Sequence, residues 1–161
     1  MDQLIAQIPI SSLSERIKKN PLNNSKRGYW TGQRGNSTYI PVDRQIEIKC
    51  LLKQFGLTGI TYISGIPDFR QCSFTTVKIS DMSINRYWNF KHCDKACAIY
   101  WNRIHFRQTL WTPSLVQLYR KINHLTWHER NDRITCDLIP TKINAFFSHL
   151  GGVSECKKLP K

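Results

Sequence analysis

The sequence has no apolar run approaching about 18 residues, so no membrane-spanning helix and no membrane association are expected. Its start, Met1-Asp2-Gln3-Leu4-Ile5, is acidic where a secretory signal would be basic, so export would need a carrier or an upstream region. There is no internal repeat and no low-complexity stretch. Gly32-Gln33-Arg34-Gly35 lacks the Lys-Ser/Thr ending of a phosphate loop. His92, Cys93 and Cys97 have zinc-ligand chemistry, but no second cysteine pair follows them, which argues against a zinc module. Acidic side chains are scarce: 11 Asp and Glu stand against 24 Lys and Arg, for a formal net charge of +13. A chain this basic is built to meet a polyanion, with nucleic acid the first candidate, ahead of anionic membrane and an acidic protein.

What is present is globular: 161 residues, 40% hydrophobic, with five Trp, enough for one domain. The six cysteines permit disulfides without implying them at this length. Cys50, Cys97 and Cys136 lie among apolar neighbours and read as small core residues in a reduced setting. Residues 11–19 suit a short helix with a basic end. Residues 20–35 are rich in Asn, Gly, Ser, Lys and Arg and read as an irregular basic loop, in which Lys26, Arg27 and Arg34 are candidate phosphate contacts. Strands are expected over 37–40, 59–63 and 74–79, the last two paired. Helices are expected over 43–55, capped by Asp43 with Ile46, Cys50 and Leu51 inward, and over 83–104, with Tyr87, Phe90, Cys97, Tyr100, Trp101 and Ile104 inward. A third should open at Thr112-Pro113 and carry Leu115, Leu118, Tyr119 and Ile122. Cys156 to Lys161 reads as a basic tail.

The chain is organised around residues 124–155. Leu125 to Trp127 is β-prone, Arg130-Asn131-Asp132 are turn residues, and Ile134, Cys136 and Leu138 alternate with Thr135 and Asp137. On that alternation Asp137 faces solvent. Pro140 ends the second strand, Thr141 is a candidate helix cap, and Gly151-Gly152 are positioned to stop the helix. Trp127 reads as core, and Glu155 as a solvated carboxylate.

The run Trp127-His128-Glu129, Leu138-Ile139-Pro140, Asn144 and His149-Leu150-Gly151-Gly152 resembles the WHH-type branch of the HNH/endonuclease VII nucleases, which occur as toxin domains in bacterial polymorphic toxin systems. The resemblance covers about residues 125–155. Gly28 to Thr38 and Gly65 to Phe69 are more loosely similar to regions preceding the finger in some such toxins. It implies an α+β fold: helices and a small antiparallel sheet, with a C-terminal ββα-metal finger over 124–155, a scaffold over 36–123 and a basic N-terminal region over 1–35.

The resemblance further implies a metal-dependent, sequence-tolerant endonuclease, acting on DNA in the cytoplasm of a target cell after delivery from a producing bacterium. An acidic immunity protein would protect the producer. The alternatives are a degenerate nucleic-acid-binding module and an RNase toxin. Hydrolysis of a phosphodiester needs a base, charge compensation and leaving-group stabilisation, and one divalent cation (Mg, Mn, Ni or Zn) can supply the last two. The family pattern has a second His where this chain has Glu129. His128 is therefore either the base, with Glu129 a metal ligand, or the ligand, with Glu129 the base. An ionised Glu of ordinary pKa is a poor base and a good ligand, which leans toward the first. Asn144 and His149 complete the ligand set by position. Five residues apart on one helix they would diverge by about 140°, so the helix must tighten or end between them for both to reach one ion.

Overall fold

The computed structural model describes residues 7–160. The acidic start at Met1 and Asp2 and the final Lys161 lie outside the described residues. Helix α1 (Leu13–Lys19) is closed by a capping box, Ser12 accepting from the Glu15 amide while the Glu15 carboxylate accepts from the Ser12 amide. An antiparallel sheet follows in the order β1 (Gly28–Trp30), β2 (Thr38–Pro41), β3 (Ile60–Ile63), β4 (Ile66–Pro67). Strand β1 falls inside the stretch expected to be irregular. Its Trp30 is buried and donates through Nε1 to the Pro21 carbonyl.

Helix α2 (Ile46–Lys53) buries Ile48 and Leu52 and leaves Ile46 and Cys50 exposed, so the expected inward face is rotated. Asp43 does not cap the helix; it pairs with Lys49, and Gln45 occupies the cap position. A second sheet has the order β5, β7, β6, with β5 (Thr75–Lys78) and β6 (Leu125–Glu129) flanking β7 (Thr135–Pro140). The expected pairing of 59–63 with 74–79 does not form: β5 pairs with β7, Val77 opposite Cys136. Alternation predicts a strand but not its partner, which is chosen by tertiary packing.

Helix α3 (Arg86–Arg103) turns Asn89, Cys93, Asp94, Cys97, Ala98 and Trp101 inward and leaves Tyr87, Tyr100 and Ile104 outside. Two polar residues set that rotation. Asp94 is held by Arg120 of α4 (Pro113–Ile122) and by the Trp127 indole, while Asn89 reaches Glu129. Thr112 caps α4 and Pro113 opens it, as expected. The buried residues of α4 are Val116 and Arg120, whereas Leu115, Leu118 and Ile122 are exposed.

Strand β7 is buried along its whole length because it lies between the two cores. Cys136 and Leu138 join Trp101, Trp111, Val116 and Trp127 on one side. Ile139 joins Tyr39, Leu52, Tyr62, Phe69 and Phe147 on the other. Asp137 is therefore not solvent-facing: it is buried, clamped by Arg130 through two 2.6 Å bonds and by the Thr76 hydroxyl at 2.7 Å. Glu155 is not a solvated carboxylate either. It is 0% exposed and accepts from the amides of Ile10 and Ser11, the Ser11 hydroxyl and Asn131. Burial alone would raise its pKa, and those hydrogen bonds outweigh it, holding the carboxyl below its usual value. The segment expected as a free tail begins inside α6 (Gly152–Cys156), where Cys156 is buried. Among the described residues all six cysteines are free, and no helix is long and apolar enough to cross a membrane.

Candidate functional site

The β6–β7 hairpin pairs His128 with Asp137 and Glu129 with Cys136, and α5 (Thr141–Phe146) follows directly. Pro140 rather than Thr141 takes the cap position of α5, without a side-chain bond. The helix ends at Phe146, well before the glycine pair, and Gly151-Gly152 lead into α6 instead of stopping α5. His149 is thus on the connecting loop, and the angular conflict with Asn144 on one continuous helix disappears.

His128, Glu129, Asn144 and His149 line one cavity of about 240 Å³ with Arg86 and the segment Gly151 to Ser154. A Cβ on Gly152 would fall 2.5 Å from the Arg130 carbonyl oxygen and 3.1 Å from the Glu129 Cβ. Only glycine lets the chain pass that close behind the strand end.

His128 is 3% exposed, its ring lies 4.8 Å from that of His149, and both rings meet Phe69 edge-on. Burial, then the nearby His149, Arg130 and Arg86, push the His128 imidazole well below the usual histidine range, against an opposing effect of the Asn144 amide. Burial likewise lowers His149, partly offset by its bond to the Phe147 carbonyl. Both rings are therefore neutral near pH 7. His149 Nδ1 lies 2.6 Å from the Phe147 oxygen, which can only accept, so Nδ1 carries the proton and Nε2 keeps a lone pair. His128 Nε2 and Asn144 Oδ1 are buried and make no well-formed hydrogen bond, although the Asn144 amide lies near enough to the ring to oppose its lowered basicity. A buried polar atom without a partner is costly, and two in one cavity beside a free imidazole nitrogen match the donor set of a divalent cation. Among the described residues no three His, Cys, Asp or Glu side chains group closely enough to hold an ion, so this donor set needs the Asn144 amide.

Glu129 is 4% exposed and is bound from α3: Arg86 approaches its carboxylate at 3.3 and 3.4 Å and Asn89 at 3.3 Å. Sequence reasoning missed Arg86 and Asn89 as site residues, and Phe69 with them. The available signal was Asn89 and Asp94 interrupting the apolar face of α3. Cys93 and Cys97 are core residues while His92 is exposed, so the three do not converge.

The three candidate phosphate contacts part company. Lys26 is exposed. Arg27 stacks 4.5 Å over the Phe146 ring, donates to the Phe146 carbonyl, and lines a cleft of about 590 Å³ with Arg44 and Lys142. Arg34 is turned to the backbone, donating to the Lys18 and Asn20 carbonyls at 3.2 and 2.5 Å.

A cavity of neutral imidazoles, an amide oxygen and an arginine-bound carboxylate on a basic chain has the composition of a hydrolytic site for an anionic ester. Residues 59–151, more than half of the chain, match the family model for the DNase/tRNase domain of colicin-like bacteriocins, and the chain belongs to that family of toxin nucleases. No curated protein and no solved structure matches it.

Proposed function

We propose that this domain is a WHH-type, metal-dependent endonuclease that hydrolyses DNA phosphodiesters with little sequence preference, as the killing domain of an antibacterial toxin. The observation that carries the reading is the pair of buried, unpartnered ligand atoms, His128 Nε2 and Asn144 Oδ1, in one cavity with the free Nε2 of His149. These three residues would hold the ion. When bound, a divalent cation compensates the charge developing on the phosphoryl group and stabilises the leaving oxygen.

The residues of the chain divide the remaining work. A deeply buried His128 whose basicity is suppressed suits a ligand better than a base, which reverses the leaning drawn from residue type alone. Glu129 takes the proton of the attacking water. Its contacts to Arg86 are long, and the Arg86 side chain is half exposed. Arg86 can therefore turn to a phosphate oxygen, which leaves a Glu129 carboxylate oxygen free to face the attacking water. Lys26, Arg27, Arg44 and Lys142 extend the basic surface toward flanking phosphates. A net charge of +13 favours an acidic immunity protein as the inhibitor, because complementary fields speed encounter.

The test is incubation of the purified domain with supercoiled plasmid and with RNA, in Mg, Mn, Ni, Zn or EDTA. Plasmid should be cut with at least one divalent ion and remain intact in EDTA. Cleavage of RNA alone, unaffected by EDTA, would replace this reading with a metal-free ribonuclease. Binding without cleavage in every ion would identify a degenerate module.

A further inference from the structure

One wall of the site cavity is made by residues 151–154, where α6 begins. A helix of five residues does not hold itself in water. Cys156 anchors its end in the core, and Glu155 anchors the rest. Glu155 does not line the cavity. Its buried carboxylate accepts from the Ile10 and Ser11 amides at 2.8 Å each, from the Ser11 hydroxyl, and from Asn131 Nδ2 at 2.7 Å. Asn131 belongs to the β6–β7 turn; the other three donors belong to the N-terminal segment 7–12. The apolar side chains of that segment are turned outward, Ile8 86% and Ile10 41% exposed. Polar contacts hold it instead. Arg133 donates to the Ile8 carbonyl at 3.2 Å and to the Gln7 side chain, and Arg16 donates to the Ser11 carbonyl.

We propose that Glu155 is a positioning residue for the cavity, through which the wall at 151–154 depends on the docked N-terminal segment. Its effect on cleavage rests on the nuclease reading of the cavity. The physical case is the cost of a buried carboxylate. Satisfied by four donors it is tolerated, whereas with the segment undocked it keeps one donor and becomes an orphan charge. The chain relieves that cost by turning α6 until the carboxylate meets water. The wall turns with it, because residues 151–154 and Glu155 share one short element. Glu129 feels the change first: a Cβ on Gly152 would lie 3.1 Å from the Glu129 Cβ, so the wall rests directly on the strand end. Arg27, Arg44 and Lys142 line a separate cleft and are untouched.

The experiment is hydrogen–deuterium exchange read peptide by peptide on wild type, Ser11→Pro, Ser11→Ala and Ser11→Thr, without added metal. Ser11→Pro removes one amide donor and the hydroxyl. It should raise exchange at residues 151–158 about tenfold, the scale of one lost hydrogen bond to a charged group, and leave α3 and β6 within about twofold. Ser11→Ala should give a smaller rise in the same place, and Ser11→Thr, which keeps both donors, should match wild type. In a Glu155→Gln background Ser11→Pro should add about twofold or less, since no charge is left to strand. In the cleavage assay Ser11→Pro should lower kcat about tenfold while KM holds, as misplacement of a site wall predicts. Unchanged exchange at 151–158, or a rise shared equally by α3 and β6, overturns the coupling. So does a Ser11→Pro effect that is as large with Glu155→Gln as without it. If Ser11→Pro does not fold, Ser11→Ala decides by the same comparison. If wild type cuts nothing in any ion, the nuclease reading fails, and the exchange pattern still decides the coupling by itself.

Discussion

Replacing His128 by alanine is expected to lower phosphodiester cleavage by at least about a hundredfold, the scale on which positioned proton-transfer groups and metal-site partners contribute. The loss follows whether the imidazole binds the ion or takes the proton, because either way it is the buried ring facing His149 and Asn144 in the cavity. Nucleic-acid affinity should persist, since the basic residues are untouched. The check is plasmid cleavage beside an affinity measurement on the same preparation. Cleavage at the wild-type rate would mean that the assigned cavity is not the site.

The largest effect on stability is expected from Arg120→Ala. Arg120 and Asp94 are both buried and joined by two 2.7 Å bonds, with Trp127 Nε1 donating to the same carboxylate at 2.9 Å. Removing the arginine leaves an uncompensated carboxylate in the core, which costs about 3–5 kcal/mol. Replacing both partners together, as Asp94→Leu with Arg120→Met, should cost far less, because no orphan charge remains. Urea denaturation of the three proteins separates these outcomes. The triad matters to function because it joins α3, which carries Arg86 and Asn89, to α4 and to the strand that ends in His128 and Glu129. A destabilised Arg120→Ala protein should therefore also lose cleavage, whereas the double variant should keep most of it.

The local elements around the site were legible in the sequence for physical reasons. Turn residues at Arg130 to Asp132 and the break at Pro140 mark a hairpin and a helix start through backbone preference alone. The order Trp127-His128-Glu129, Asn144, His149 places the ligand types close because the connections are short. Long-range choices were not legible. Asp137 looked solvent-facing because alternation assumes one buried face, whereas β7 is covered on both and Arg130 neutralises the carboxylate there. Glu155 looked like a tail group because nothing local shows that it would collect the amides of Ile10 and Ser11. On α2 the apolar Ile46 and Ile48 lie about 200° apart, and only tertiary packing chooses the side of Ile48 and Leu52, while the buried side of α3 is disguised by an asparagine and an aspartate. Arg86 and Asn89, some 40 residues before Glu129 in sequence, join the site only through the packing of α3 on the second sheet.

The central claim is that this cavity holds a divalent ion. The direct measurement is a manganese-soaked crystal examined by anomalous scattering. A peak is expected within ligand distance of at least two of His128, Asn144 and His149, with His128 Nε2 and Asn144 Oδ1 among its neighbours. An ion held by Cys93 and Cys97, with the cavity empty, would contradict it.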